Sequence, residues 1–196
     1  MRDSSPDDPR FRRSRDRLLA ALRQVAREGD LTIPAVSVAA GVTRATFYNH
    51  FTSLDEAAWY AMLDSFDELL SEDAAARRAG ADPAAVGLQS LRKIVELLRV
   101  DGALARLADS YPSGTVLPGL ADVVLAQVRW FRTEFGAPTT LDPAAEEVYV
   151  AAGLYALLAT GARGDGDPVD VALVAYSLLP EWMRHPGREG PSAQTI

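Results

Sequence analysis

From Leu18 onward, apolar residues recur at intervals of three and four, and nowhere do they alternate long enough to line one face of a strand. The chain is therefore expected to be all-α. Start signals divide it into pieces. Asp82-Pro83, Asp142-Pro143 and Asp167-Pro168 each pair a capping side chain with a proline at the first helical position, where a missing N–H costs little. Ser53 and Glu56 have the spacing of a capping box. These signals predict helices over about 12–27, a short piece after Thr32, 44–50, 54–78, 83–100, 102–110, 118–135, 143–161 and 168–184. Pro180 falls inside the last and should kink or shorten it. Residues 1–9 and 186–196 lack periodicity and read as loose tails.

Residues 32–51 read TIPAVSVAAGVTRATFYNHF. Thr32 caps a helix with Pro34 in its first turn, Gly41 supplies the left-handed turn that ends it, and Thr43 at once caps another. Two short helices joined by a glycine turn form a helix-turn-helix pattern. Val36, Ala40, Val42, Ala45 and Phe47 are expected to lock the pair, leaving Arg44, Thr46, Tyr48, Asn49 and His50 to project outward or sideways.

With the LDEAAWYAML that follows, this segment resembles the DNA-binding domain of the tetracycline-repressor (TetR) family. The pattern A-G-V-[ST]-x-x-T-[FL]-Y-x-H-F is carried by Ala40-Gly41-Val42-Thr43 and Thr46-Phe47-Tyr48-Asn49-His50-Phe51, and the likeness covers residues 14–59. It implies a three-helix DNA-binding domain over residues 10–53 and a helical ligand-binding and dimerisation domain over 54–185, joined by a long helix. It also implies a homodimer on palindromic double-stranded operator DNA, most commonly as a repressor, released by a small-molecule effector. Thr32, Thr43, Tyr48 and His50 would then meet phosphates, and Arg44, Thr46 and Asn49 would face base edges. Members commonly carry lysine where this chain has Leu54.

Each of these residues also has a plainer reading. Arg44 is either a solvated arginine or a bidentate donor to guanine O6 and N7, for which the first turn of a recognition helix is well placed. Tyr48 packs beside Phe47 or gives its hydroxyl to phosphate. His50 meets phosphate or caps a helix end; the other histidine, His185, lies near the tail, so a metal role is not expected.

A net charge of −7 weighs against a polyanionic partner until it is read by region. Between Pro9 and Ser53, eight arginines stand against Asp16, Glu28 and Asp30. The head is basic and the body acidic, and binding depends on which cations face phosphate.

In the body, residues 148–159 (VYVAAGLYALLA) carry no charge and must be covered on most sides. The last helix shows two apolar stripes, Val171, Val174, Leu178 and Trp182 beside Ala172, Tyr176, Leu179 and Met183. One serves the chain's own core. The other is expected to meet a second copy in a four-helix interface, with Val171, Val174, Leu178 and Leu179 as the dimerisation residues. Trp59, Phe66, Tyr111, Trp130, Phe131, Tyr149 and Tyr155 are candidate cavity walls or, singly, plain core.

Asp64, Asp67 and Glu68 share a helix face without histidine or cysteine nearby and read as a solvated surface. There is no phosphate-binding glycine loop, zinc pattern or nucleophile motif, so neither an enzyme nor a bound cofactor is expected. No apolar run is long enough for a membrane span, and the expected location is the cytoplasm. Two rivals remain, an enzyme with a helical body and a module that binds DNA or protein without sequence preference.

Overall fold

A computed structural model describes residues 8–112, 119–138 and 142–186. Those residues form ten helices and no strand: α1 (Pro9–Glu28), α2 (Ile33–Ala39), α3 (Arg44–Tyr48), α4 (Leu54–Arg78), α5 (Pro83–Val100), α6 (Gly102–Ser110), α7 (Leu120–Phe135), α8 (Pro143–Arg163), α9 (Pro168–Leu178) and α10 (Glu181–Arg184). The expected all-α class holds. No helix among the described residues is long and apolar enough to cross a membrane.

Caps set the boundaries. Asp82 accepts the Ala85 N–H at 2.8 Å and Asp142 accepts that of Ala145 at 3.0 Å, each with proline opening the helix. Asp167 opens α9 in the same way through the Val169 N–H. The same signature stands at Asp8-Pro9, where Asp8 accepts the Arg10 N–H, so α1 begins three residues before the expected start at Arg12. At α4, Ser53 accepts the Glu56 N–H, while the Glu56 carboxylate reaches back to Thr52 and not to Ser53 itself.

The long final helix expected over 168–184 is two helices. Leu179 is extended ahead of Pro180, which lacks the N–H that would continue α9. The break turns Trp182 into the interior, so it does not prolong the stripe of Val174 and Leu178. The expected start of α7 at Pro118 lies outside the described residues, where the helix runs from Leu120.

α4 is 25 residues long, roughly 37 Å at 1.5 Å per residue, and joins the head, α1–α3, to the body. One core runs through both: Leu18, Leu22, Phe47 and Phe51 of the head belong to the same buried cluster as Met62, Phe66, Val95 and Leu158. A smaller cluster around Leu125, Phe131, Val150 and Trp182 sits where α7, α8 and α10 meet.

Candidate functional site

The turn between α2 and α3 shows why Gly41 stands there. It adopts φ 61°, while the Val42 N–H bonds to the Ser37 carbonyl and the Gly41 N–H to that of Val38, the paired bonds of a Schellman cap. Arg17 also donates to the Gly41 carbonyl, and a Cβ at Gly41 would come within 2.6 Å of its Nη2. Thr32 accepts the Ala35 N–H and Thr43 that of Thr46, so both hydroxyls fix the starts of their helices. Both threonines remain exposed.

α3 is held from beneath by Phe47, which is 0% exposed, with Val36, Ala40 and Phe51 around it. Arg44, Tyr48 and Asn49 are exposed, Tyr48 to 56%. None of these three side chains has a hydrogen-bond or ion-pair partner among the described residues. One expectation needs correction: Ala45 is exposed and does not help lock the helices. Thr46 is half-buried, its hydroxyl 2.9 Å from that of Thr43. Two residues along an α-helix turn the side chain by about 200°, so Ala45 and Phe47 point to opposite sides. Phe47 takes the inner position, which leaves Ala45 outside.

His50 is tied inside the head. Its Nε2 lies 2.7 Å from the Ser14 hydroxyl and its ring 4.0 Å from that of Phe11, so it joins α1 to the end of α3. Burial, then the nearby Arg15 charge, hold its pKa below the ordinary histidine value. Neither the phosphate nor the helix-end reading anticipated the Ser14 contact.

The eight head arginines divide between tasks. Arg23 donates to the Ala61 carbonyl and lies 3.9 Å from Asp64, Arg27 donates to the buried Asp101 at 3.0 Å, and Arg15 sits over the Tyr60 ring. These three brace the head against α4 and the start of α6. Arg10, Arg12, Arg13, Arg17 and Arg44 remain exposed.

In the body, α4, α5, α7, α8, α9 and α10 line an apolar cavity of about 80 Å³ that is partly open to solvent. Of the seven aromatic candidates, Phe66 and Phe131 line it. Trp59 packs near Tyr111, Trp130 against Phe131, Tyr155 donates to Asp109, and Tyr149 is exposed. The sequence reading missed a polar cluster in the cavity wall. Arg77 forms a two-point pair with Asp73, which also accepts a hydrogen bond from Ser90 at 2.6 Å. The signal was available, because Asp73 and Arg77 continue the helical stripe of Phe66 and Leu70.

The far side of the body carries an apolar face. Tyr149 is 81% and Leu178 71% exposed, with Leu173 and Val174 beside them. Of the four residues expected at a dimer interface, Val174 and Leu178 face outward. Val171 and Leu179 pack against the chain's own core, Val171 pressed so closely on Gly161 that a Cβ there would meet it at 2.5 Å.

No protein-family model matches the chain, and no curated protein does. Solved structures do. The crystal structure of RolR in complex with the ligand resorcinol superposes with a TM-score of 0.55 at 19% identity, covering 86% of each chain. A transcriptional regulator from Rhodococcus sp. Rha1 aligns at 25% identity over 87% of this chain and 90% of its own, with a TM-score of 0.49. The chain thus shares its fold with RolR.

Proposed function

We propose that the chain is a ligand-responsive transcription regulator of the TetR type, a homodimer that binds palindromic operator DNA through α3 and releases it when a small molecule enters the body. The observation that carries this reading is α3 itself. Its inner side is locked by Phe47, and its outer side presents Arg44, Tyr48 and Asn49 with their polar groups unspent. Arg44 and Asn49 read base edges, with Thr46 as a lesser neighbour. Thr32, Thr43 and Tyr48 meet phosphates. His50 acts from behind, holding α1 against the end of α3 through Ser14.

The apolar face of α8 and α9 supports the dimer. Tyr149, Leu173, Val174 and Leu178 are large side chains left exposed on α8 and α9, with Leu178 one turn from Val174 and bordering one groove with Tyr149, and a two-fold partner presenting the same face would cover them. The effector belongs in the cavity beneath α4. One end of that helix borders the cavity at Phe66 and Arg77, while its other end packs on the head, so a ligand that shifts α4 also shifts α3 against DNA. RolR, which shares the fold, was crystallised with a small aromatic ligand. Repression is the expected sense of control and the cytoplasm the expected location.

Selection of bound duplexes from a random pool tests the reading. A palindromic consensus should emerge, bound far more tightly than random duplex at the same salt. Equal affinity for the two would point to the rival, a DNA-binding module without sequence preference.

A further inference from the structure

The acidic body spends its cations unevenly. Arg77, Arg78, Arg92, Lys93, Arg129 and Arg132 each pair with a carboxylate. Of the other body arginines, Arg184 turns to the Leu179 carbonyl, whereas Arg99, Arg106 and Arg163 have no carboxylate partner among the described residues. Those three line one pocket of about 260 Å³ where the end of α5, α6 and the end of α8 meet. It shares no lining residue with the cavity beneath α4. Its floor is apolar, made of Leu98, Ala105, Ala159 and Ala162, all buried.

The three guanidinium groups are placed at the rim of this pocket. Arg99 Nη2 donates to the Gly161, Gly164 and Gly166 carbonyls at 3.2, 3.1 and 2.8 Å, which anchors its charge where α8 ends. Arg106 is exposed and has no hydrogen bond among the described residues. It folds back over the pocket edge, its Nη1 3.6 Å from where a Cβ on Gly102, a lining residue, would stand. Arg163 is also exposed, and its hydrogen bonding is limited to a long 3.4 Å approach to the Thr160 hydroxyl. Asp165, in the loop that Arg99 holds, forms no ion pair with any of them among the described residues.

Charge and shape decide what fits. The one acid of the lining, Asp109, faces inward, where its Oδ1 accepts from the Tyr155 hydroxyl at 2.6 Å and the Leu120 N–H at 3.3 Å. Burial, then that bond to Asp109, raise the Tyr155 pKa above the ordinary phenol value, so the floor gains no second negative charge. Three guanidinium groups against one carboxylate leave the pocket doubly positive, and a dianion balances it. Guanidinium groups bind oxygens in pairs, and a phosphate has enough terminal oxygens to be shared by Arg106 from α6 and Arg163 from α8. A phosphate monoester carries about two negative charges at neutral pH. The pocket exceeds the roughly 150 Å³ that accepts a benzene ring, which leaves room for an organic substituent on the floor.

We propose that this pocket is a second small-molecule site, for a compact phosphate monoester whose phosphate is shared by Arg106 and Arg163 with Arg99 behind them, and whose organic part rests on the apolar floor. The site is independent of how the cavity beneath α4 is used.

The test titrates the full chain with phenyl phosphate and phenyl sulfate, molecules of one shape that differ in charge. Ionic strength is fixed and the pH held at about 7.5, above the second phosphate pKa near 6. Binding is followed through the methyl NMR signals of Leu98 and Ala159, both in the lining. Phenyl phosphate should shift both signals saturably, and phenyl sulfate should bind at least about tenfold more weakly for want of the second charge. Arg106→Gln and Arg163→Gln should each weaken phenyl phosphate by at least about tenfold, the worth of a hydrogen bond to a charged group, with melting temperatures unchanged. Arg78→Gln removes the same charge at the end of α4, outside the pocket, and should leave affinity within about twofold because salt screens it. An absence of saturable phenyl phosphate binding would overturn the proposal, as would phenyl sulfate binding as tightly or unchanged affinity in either pocket variant. An equal loss in Arg78→Gln would overturn it too, since the attraction would then be to charge anywhere on the body.

Discussion

Leu178 and Leu179 are neighbours in sequence and opposites in the fold, which makes the dimer testable by two single substitutions. Leu178 is 71% exposed on the outer face of α9. Leu179 packs against both core clusters at the break before Pro180. If a second copy covers the outer face, each protomer buries its Leu178. Full burial of a leucine side chain is worth about 1.5–3 kcal/mol, so the symmetric pair contributes about 3–6 kcal/mol. Leu178→Glu removes that contribution and adds two carboxylates to the interface. The dimer constant should weaken by at least about two to four decades, taking a dimer of about 1 nM to about 0.1–10 μM or weaker. The folded chain itself loses little. Leu179→Glu should do the reverse, placing an unpaired carboxylate in the interior and lowering the melting temperature. Sedimentation velocity across protein concentration, with circular-dichroism melts beside it, reads both effects. Operator affinity should fall with Leu178→Glu, because two linked half-sites become separate. A Leu178→Glu protein that stays dimeric at nanomolar concentration would place the interface elsewhere.

Other outcomes follow from the head. Arg44→Ala should relax base choice at one position per half-site, at a cost of about 1–3 kcal/mol, whereas Tyr48→Phe should weaken all duplexes about equally; competition against a panel of operator variants separates them. Gly41→Ala forces a Cβ onto a residue at φ 61° and displaces Arg17. It should destabilise by about 1–2 kcal/mol for the left-handed backbone alone, and an unchanged melting temperature would contradict that account. His50 has its folded pKa lowered by burial and then by Arg15, so the unfolded chain binds the proton more readily. Its contribution to stability is therefore complete above the unfolded value near 6.5 and declines as pH falls through it. Melts from neutral to mildly acidic pH should show this decline in the native protein and less of it in His50→Gln.

Much of the architecture was legible because local chemistry and global fold agree. Asp-Pro starts, the Gly41 turn and period-3.6 stripes each named an element that formed. Misses trace to definite causes. Asp8-Pro9 carries the same start signal as the other three pairs, but in a segment without apolar periodicity it reads as tail. Trp182 was assigned to a stripe that the chain abandons at Pro180, since periodicity extrapolated through a break assigns the wrong face. The cavity cluster was harder. Ser90 reaches Asp73 from another helix, 17 residues away, and no spacing rule joins them. Asp64, Asp67 and Glu68 are exposed, whereas Asp73 and Arg77 lie on the buried stripe.

Salt dependence tests how the basic head is divided. Arg15, Arg23 and Arg27 are engaged with Tyr60, Ala61, Asp64 and Asp101, so they fix the head on the body and are poorly placed to release counterions from DNA. Arg27 is exposed too but has its charge paired with Asp101; the other exposed head arginines are Arg10, Arg12, Arg13, Arg17 and Arg44, twice over in a dimer. If every one of these neutralised a phosphate, the slope of log K against log salt would be about −9, since each contact contributes about 0.9. That is a ceiling, because Arg44 is aimed at bases and Arg17 is drawn toward the Gly41 carbonyl. A steeper slope would require cations from the acidic body and would refute this division of labour. Leu54→Lys sharpens the test. Leu54 is the first residue of α4 and half-buried against the core, a position where a lysine stem can cover the same surface while its ammonium extends outward. If this helix end approaches phosphate, the slope should steepen by about 0.9 per protomer with little change in the ratio of operator to random binding. An unchanged slope would mean that the start of α4 lies off the DNA backbone, leaving α3, with the exposed arginines of α1, as the whole of the contact.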